Sequence, residues 1–125
     1  MYVGAGSRHE DLSTTGTSYL LQKMALRGTS NKSKTEIAEA IENHGARYSA
    51  HSDREWTSYN LQVLKGDAAS AVHLLGDMVC NSSLNSAELE LVKDEVSMEH
   101  EDNHNRYIET TLENAHFNSF REHML

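Results

Sequence analysis

Histidines and carboxylates are the side chains whose chemistry is most easily recognised in this chain of 125 residues, because together they form metal sites and acid–base pairs. His100 and His104 are four positions apart, so on a helix both could ligate zinc from one face. Residues 101–103 between them are acidic and polar, which equally suits a charged helix surface in solvent. The other six histidines show no ligand spacing with one another: His9, His44, His51, His73, His116 and His123.

Glu99 is the most informative carboxylate, because it continues an apolar stripe. Leu89, Val92 and Val96 recur at helical spacing, and Glu99 is the next position on the same face. A carboxylate that faces a core is costly unless it is paired, hydrogen-bonded or bound to a metal. The alternative is that the stripe simply reaches solvent at Glu99.

Other reaction classes find little support. Cys80 is the only cysteine, which excludes an internal disulfide and indicates a small buried helix residue. Ser7, Cys80 and the other candidate nucleophiles lack a nucleophile motif, and no glycine-rich phosphate loop is present. A formal net charge of -8 argues against nucleic acids and anionic membranes as partners. No apolar run is long enough to cross a bilayer, and residues 1–14 show no targeting pattern.

The elements that must position these side chains read as an α+β fold, with helices packed on one face of an antiparallel sheet. A strand stub at residues 1–6 precedes a helix over residues 15–27, which Gly28 ends. Ser33 and Glu36 then form a capping box for a second helix. A hairpin follows, with strands over residues 46–51 and 56–64. In its second strand Tyr59, Leu61 and Val63 alternate with polar residues, as in a sheet covered on one face.

Three more helices follow the hairpin. Asp67 is predicted to cap the first, and Asn85 opens the second. The third spans residues 106–118, with Ile108, Leu112 and Ala115 on its apolar side. The apolar stripe of the helix after Asp67 consists of Ala68, Ala71, Val72, Leu75, Met78 and Val79. A hairpin plus a strand stub is a thin sheet for so many helices, so we expect further strands to complete the domain.

A series of short motifs occurs in the order and spacing of one family. The chain resembles the pitrilysin-type (M16) metallopeptidases, and within them the branch that contains the β subunits of mitochondrial processing peptidase and the first core proteins of respiratory complex III. The motifs extend over nearly the whole chain: Gly6-Ser7-Arg8-x-Glu10, Gly16-Thr17, Met24, Arg27-Gly28-Thr29, Glu42-x-x-Gly45-Ala46, Ala50, Arg54-Glu55-x-Thr57-x-Tyr59 and Asp77-x-Val79-x-Asn81.

The resemblance implies what the first predicted helix once carried. Family members have an inverted zinc motif there, His-x-x-Glu-His, in which the histidines and a distant glutamate bind zinc and the central glutamate is the general base. In this chain the histidine positions hold Tyr19 and Lys23, and the base position holds Gln22. The distant glutamate is Glu99, and a supporting acid position falls on Val92. We therefore expect a degenerate site without zinc or another cofactor, in which the Lys23 ammonium pairs with Glu99.

The resemblance also implies a function. We expect a non-catalytic structural subunit of complex III, the cytochrome bc1 complex, on the matrix side of the inner mitochondrial membrane. Its partners would be other chains of a multisubunit mitochondrial complex, one of which supplies the missing strands or is the paired core subunit. Residues 1–125 would form a partial domain that lacks its first strands and its C-terminal portion. The alternative is a subunit of the processing peptidase. More remotely, a zinc peptidase would use Glu99 with His100 and His104.

Overall fold

The computed structural model describes residues 1–103 and 107–120. Its order of strands and helices confirms the predicted α+β class. None of the helices within these ranges combines the length and the hydropathy that crossing a bilayer requires. The elements are β1 (Tyr2–Val3), α1 (Thr17–Met24), α2 (Lys34–Asn43), β2 (Arg47–Ser52), β3 (Thr57–Gln62), α3 (Ala68–Cys80), α4 (Ser86–Asn103) and α5 (Tyr107–Ser119), with short 3₁₀ turns at Ser7–His9 and Lys65–Asp67.

The sheet is antiparallel, with the strands in the order β1-β3-β2. In the hairpin Ala50 lies opposite Tyr59, and β1 pairs with the other edge of β3. The amino group of Met1 adds a hydrogen bond of 2.8 Å to the carbonyl oxygen of Tyr59. The central strand β3 is thereby hydrogen-bonded along both edges. Helix α1 packs against β2 and β3.

Ser58 departs from the predicted alternation, because it is only 3% exposed although it lies on the polar face of β3. The register places Tyr2 of β1 and His51 of β2 directly opposite it. The ring of Trp56, two residues earlier on the same face, contacts both of those rings at centroid distances of 5.6 Å. Three aromatic rings therefore surround Ser58 on the face that we predicted to be open.

Gly6 anchors the segment before α1 to the hairpin turn. The backbone N–H groups of Ser7 and Arg8 donate to the carbonyl oxygens of Asp53 and Arg54, at 3.3 Å and 2.8 Å. A Cβ atom on Gly6 would lie 2.2 Å from the Asp53 oxygen, which is far inside contact distance. Glycine is thus required here for close backbone approach.

The hydrophobic core lies between α2, α3 and the sheet. The capping box predicted for α2 is present, since the Ser33 and Glu36 side chains bond to each other's backbone N–H groups. The centre of the core consists of Ile37, Leu74 and Met78, surrounded by the partly buried side chains Leu26, Ala40, Ile41, Tyr48 and Leu61.

The predicted stripe on α3 is confirmed at Ala71 and Met78, which are buried, and is wrong at Val72. Leu74 is buried, whereas Val72 is 70% exposed. Because Val72, Leu74 and Leu75 are all apolar, the spacing alone does not determine which side of the helix turns inward. Cys80 at the end of α3 was expected to be buried and is exposed. Cys80 lies on the solvent-facing side of this helix.

The apolar side predicted for α5 is not buried. Ile108 and Leu112 are 78% and 65% exposed, and Ala115 is exposed as well. Within the described ranges no other element packs extensively against α5. The Arg54 guanidinium forms an ion pair with Glu113 of this helix at 3.1 Å. The predicted start of this helix, Arg106, lies outside the described residues.

Candidate functional site

The side chain that caps the N-terminus of helix α1 comes from a residue outside the helix. Gly16 precedes the helix with φ +85°, a conformation that suits glycine, and has no side chain with which to cap it. The Glu10 carboxylate accepts instead from the N–H groups of Gly16 and Ser18, at 2.7 Å and 2.6 Å. Desolvation raises the pKa of Glu10, but the hydrogen bonds from Ser18 and Gly16 outweigh it and hold this pKa below the ordinary value. Our sequence reasoning missed this cap, whose signal is a glycine where a capping side chain is expected.

The structure brings Tyr19 and Lys23 of α1 to Glu99 of α4. The Lys23 ammonium lies 2.5 Å from Oε1 of Glu99, and the Tyr19 hydroxyl donates to Oε2 at 2.8 Å. Lys23 also lies 5.3 Å from the centroid of the Tyr19 ring, a cation–π distance. The ion pair expected from the sequence is therefore present, and both oxygens of the Glu99 carboxylate are engaged.

Each member of this cluster is held in its usual protonation state. The hydrogen bonds from Lys23 and Tyr19 lower the pKa of Glu99. Burial alone would lower the pKa of Lys23, but the hydrogen bond to Glu99 reverses this and the pKa is raised. The pKa of Tyr19 is raised by burial and by its bond to Glu99. The cluster is thus a neutral phenol and an ammonium around one carboxylate.

Gln22 points to the sheet. Its Nε2 group donates to the carbonyl oxygen of Ala50 on β2 at 3.1 Å, so this side chain ties α1 to the hairpin. Its Oε1 atom is buried and has no hydrogen-bond partner in the part of the chain that the structure describes. Val92, at the expected position of the supporting acid, is fully buried. Neither residue can carry the proton chemistry that the family motif assigns to its position.

Arg27 forms a second link between the segment after α1 and α4, which our sequence reasoning missed. Its Nη2 group contacts both carboxylate oxygens of Glu95, at 2.6 Å and 2.5 Å, and Nη1 lies 3.4 Å from Glu88. The Arg27 side chain is only 15% exposed. The signal in the sequence is the spacing of Glu88 and Glu95, seven residues apart on either side of buried Val92.

The side chains at this site do not fit the zinc that the intact family motif binds. Zinc needs lone pairs from neutral imidazoles, thiolates or carboxylates, and of the clustered side chains only Glu99 offers one. Lys23 instead places its own positive charge beside that carboxylate. His100 is an exposed residue of α4, and His104 lies outside the described residues. Within residues 1–103 and 107–120 no group of three or more His, Cys, Asp or Glu side chains is arranged to hold a metal ion.

Replacing Glu99 by glutamine is expected to lower the free energy of unfolding by about 1 kcal/mol near neutral pH, because a partly exposed ion pair is lost. The folded-state pKa of Glu99 is depressed below 4.5, so its contribution is fully present above the unfolded pKa. It is lost as the pH falls through the folded pKa. Urea unfolding at a series of pH values should therefore show wild type and Glu99→Gln converging in acid.

Glu90→Gln is the matched control for this measurement. Glu90 lies on the same helix, its side chain is 70% exposed, and it pairs with Lys93 within one turn. Such a pair contributes little, so this variant should stay within about 0.5 kcal/mol of wild type. A Glu99→Gln difference that does not change with pH would contradict the role assigned to the ion pair.

Comparison with known proteins agrees with the predicted resemblance. Residues 1–125 match the family model described as Insulinase (Peptidase family M16). The mitochondrial cytochrome b-c1 complex subunit 1 of Bos taurus is 31% identical over 121 residues, which are 97% of this chain and 25% of that protein. The mitochondrial-processing peptidase subunit beta of Saccharomyces cerevisiae is 32% identical over 125 residues, 100% of this chain and 27% of that protein. Its human counterpart is 38% identical over 90 residues, 72% of this chain and 18% of that protein.

A solved structure shows the same fold. A protease from Helicobacter pylori superposes with a TM-score of 0.73 at 18% identity, covering 78% of this chain and 24% of that one. The chain spans about a quarter of the length of the first curated relatives that it matches. The family model, the relatives and the fold agree, and the chain therefore belongs to the M16 (insulinase) family of peptidases.

Proposed function

We propose that this chain is a non-catalytic, core-protein-like subunit of mitochondrial respiratory complex III, on the matrix side of the inner membrane. The observation that carries the proposal is the Lys23–Glu99 ion pair. It joins two positions that bind zinc in active family members, and Lys23 supplies the positive charge internally. We infer from this pairing that the chain serves assembly and not peptide hydrolysis.

The base position supports the same interpretation. A peptidase of this family activates water with a carboxylate that accepts a proton, and the amide of Gln22 has no such capacity at neutral pH. Gln22 instead donates to β2, and Tyr19 donates to Glu99. All three replaced residues contribute contacts between α1 and its neighbours, which favours a structural role for this helix.

The alternative is a subunit of the mitochondrial processing peptidase, in which this chain would be the partner that does not hydrolyse peptides. The identity of 32% to the yeast processing peptidase subunit beta over the whole chain supports membership of that assembly, and the replaced motif supports the role without hydrolysis. A zinc peptidase based on Glu99, His100 and His104 is more remote, because Lys23 and Tyr19 already engage both oxygens of Glu99.

We further propose that residues 1–125 form a partial M16 domain, which is completed by strands and helices from another segment or chain. Strand β1 pairs with β3 on one side, and within the described residues its other edge is open. Open strand edges favour pairing with further strands. The exposed apolar residues of α5, Ile108 and Leu112, also need a covering element. The paired core subunit or another chain of the complex is the expected source.

Copurification separates these assignments. A tagged form of the chain, expressed in its own cell type, is expected to bring down cytochrome b and cytochrome c1 in roughly equal amounts with itself. Recovery with a presequence-cleaving peptidase partner would support the alternative. Metal analysis of the same preparation tests the remote one, because about one zinc per chain would contradict a non-catalytic site.

A further inference from the structure

A carboxylate, an imidazole and a hydroxyl lie in a row where the end of α2 meets the start of α3. Nδ1 of His44 lies 3.4 Å from Oδ1 of Asp67, and Nε2 of the same ring lies 3.1 Å from Oγ of Ser70. None of the three belongs to the Tyr19–Lys23–Glu99 cluster. Sequence reasoning overlooked the group, because His44 is 26 residues from Ser70 and no nucleophile motif surrounds either.

The fold positions each member of this row. His44 is the residue that ends α2, where its N–H group donates to the carbonyl oxygen of Ala40 at 3.3 Å. Asp67 was predicted to cap α3 and occupies that position, but its side chain makes no capping hydrogen bond. The carboxylate is therefore available to the imidazole. Ser70 lies in the first turn of α3, where the helix dipole favours negative charge on Oγ.

The order of the three groups determines the direction of proton transfer. A carboxylate beside Nδ1 keeps the ring proton on that nitrogen, which leaves Nε2 of His44 as the acceptor for the Ser70 hydroxyl proton. Carboxylate, imidazole and hydroxyl in this sequence are the parts of an activated serine nucleophile. The arrangement is recognised by geometry and roles, since it recurs on unrelated folds.

We propose that Ser70 is a nucleophile that accepts acyl groups from activated esters or thioesters. Oγ of Ser70 attacks the acyl carbonyl carbon while its proton passes to Nε2 of His44. The bond from that carbon to the leaving alcohol or thiol then breaks, and His44 returns the proton to the leaving group. The product is an ester on Ser70. Water can then attack the carbonyl carbon of this ester while its proton passes to Nε2 of His44. The bond to Oγ of Ser70 breaks, and His44 returns the proton to Oγ.

A groove beside Ser70 provides room for the acyl group. It has a volume of about 600 Å³ and runs along α3, with Ser70, Leu74 and Gly76 in its lining and Ala40 of α2 opposite. Leu74 is buried beneath it. The lining is mixed, because the charged residues Lys32 and Asp77 lie in it beside the apolar residues Val72 and Leu74. We expect the donor to be a small acyl ester or thioester whose hydrocarbon part lies on the apolar residues.

The test uses 4-nitrophenyl acetate on the purified chain, followed by mass spectrometry of its peptides. We expect a stoichiometric burst of nitrophenol and one acetyl group on Ser70. Ser70→Ala should abolish the burst, and His44→Gln should slow acetylation about 100-fold, the usual contribution of a general base. His9→Gln is the control, because His9 lies in the Ser7–His9 turn, outside the groove, and should leave the rate unchanged.

Two results would overturn the proposal. One is wild-type protein without an acetyl group on Ser70, and this result does not depend on any variant folding correctly. The other is acetylation of Ser70 that His44→Gln leaves unchanged, since a solvent-exposed serine would then react without help. Circular dichroism of each variant establishes that His44→Gln retains the helices. Asp67→Asn should give an intermediate rate, because it removes the charge that orients the imidazole.

Discussion

Restoring the family motif by the triple change Tyr19→His, Gln22→Glu and Lys23→His is expected to create a zinc site with a Kd at or below about 1 µM. Tyr19 and Lys23 both already reach the carboxylate of Glu99, so side chains at these positions converge on one point. Two imidazoles and one carboxylate there would complete three protein ligands of a tetrahedral site. Removal of the Lys23 ammonium is as important as the new ligands, because its charge repels the metal.

After dialysis the triple variant should retain about one zinc ion per chain, as measured by mass spectrometry of the metal content. Adding Glu99→Gln to the triple change should abolish binding, since it removes the third ligand. Gln22→Glu alone should bind none, because it supplies a base position without the two imidazoles. If the triple variant stays free of zinc, the Tyr19–Lys23–Glu99 cluster does not have the geometry of a metal site, and the central argument for a degenerate peptidase fails.

The importance of Glu99 could be predicted from local spacing, but its partners could not. Three apolar residues at helical intervals place Glu99 on the inner face of α4, and Val92 on that face is fully buried. Lys23 is 76 residues away, and periodicity gives no information on which helices meet. The pairing was predicted through the family resemblance, which supplies the missing long-range contact.

Helix caps could likewise be predicted from the sequence only where the capping contact is local. The Ser33–Glu36 box acts within one turn and was read from the sequence. Glu10 caps α1 across a loop, and Asp67 turns from its own helix to His44. In both cases a tertiary contact decides where the carboxylate goes, and the spacing of neighbouring residues does not contain it.

Burial could be predicted only where a helix has one apolar side. On α3 several adjacent positions are apolar, and the choice of Leu74 over Val72 follows from how α2 and the sheet meet this helix. On α5 the apolar pattern exists, but the described part of the chain contains no element that covers it. Periodicity therefore identifies a surface that can be buried, and the surrounding structure determines whether it is.

Met78→Ala is expected to lower the free energy of unfolding by about 2–5 kcal/mol, a large fraction of the stability of a small domain. Met78 is fully buried at the centre of the core, so truncation leaves a cavity that Ile37 and Leu74 cannot fill. Met98→Ala is the matched control, because Met98 is 67% exposed on α4 and its truncation should cost less than about 0.5 kcal/mol. Urea unfolding of both variants measures the difference. Equal losses would mean that α3 does not form the centre of the core and that the face carrying Leu74 and Met78 is assigned wrongly.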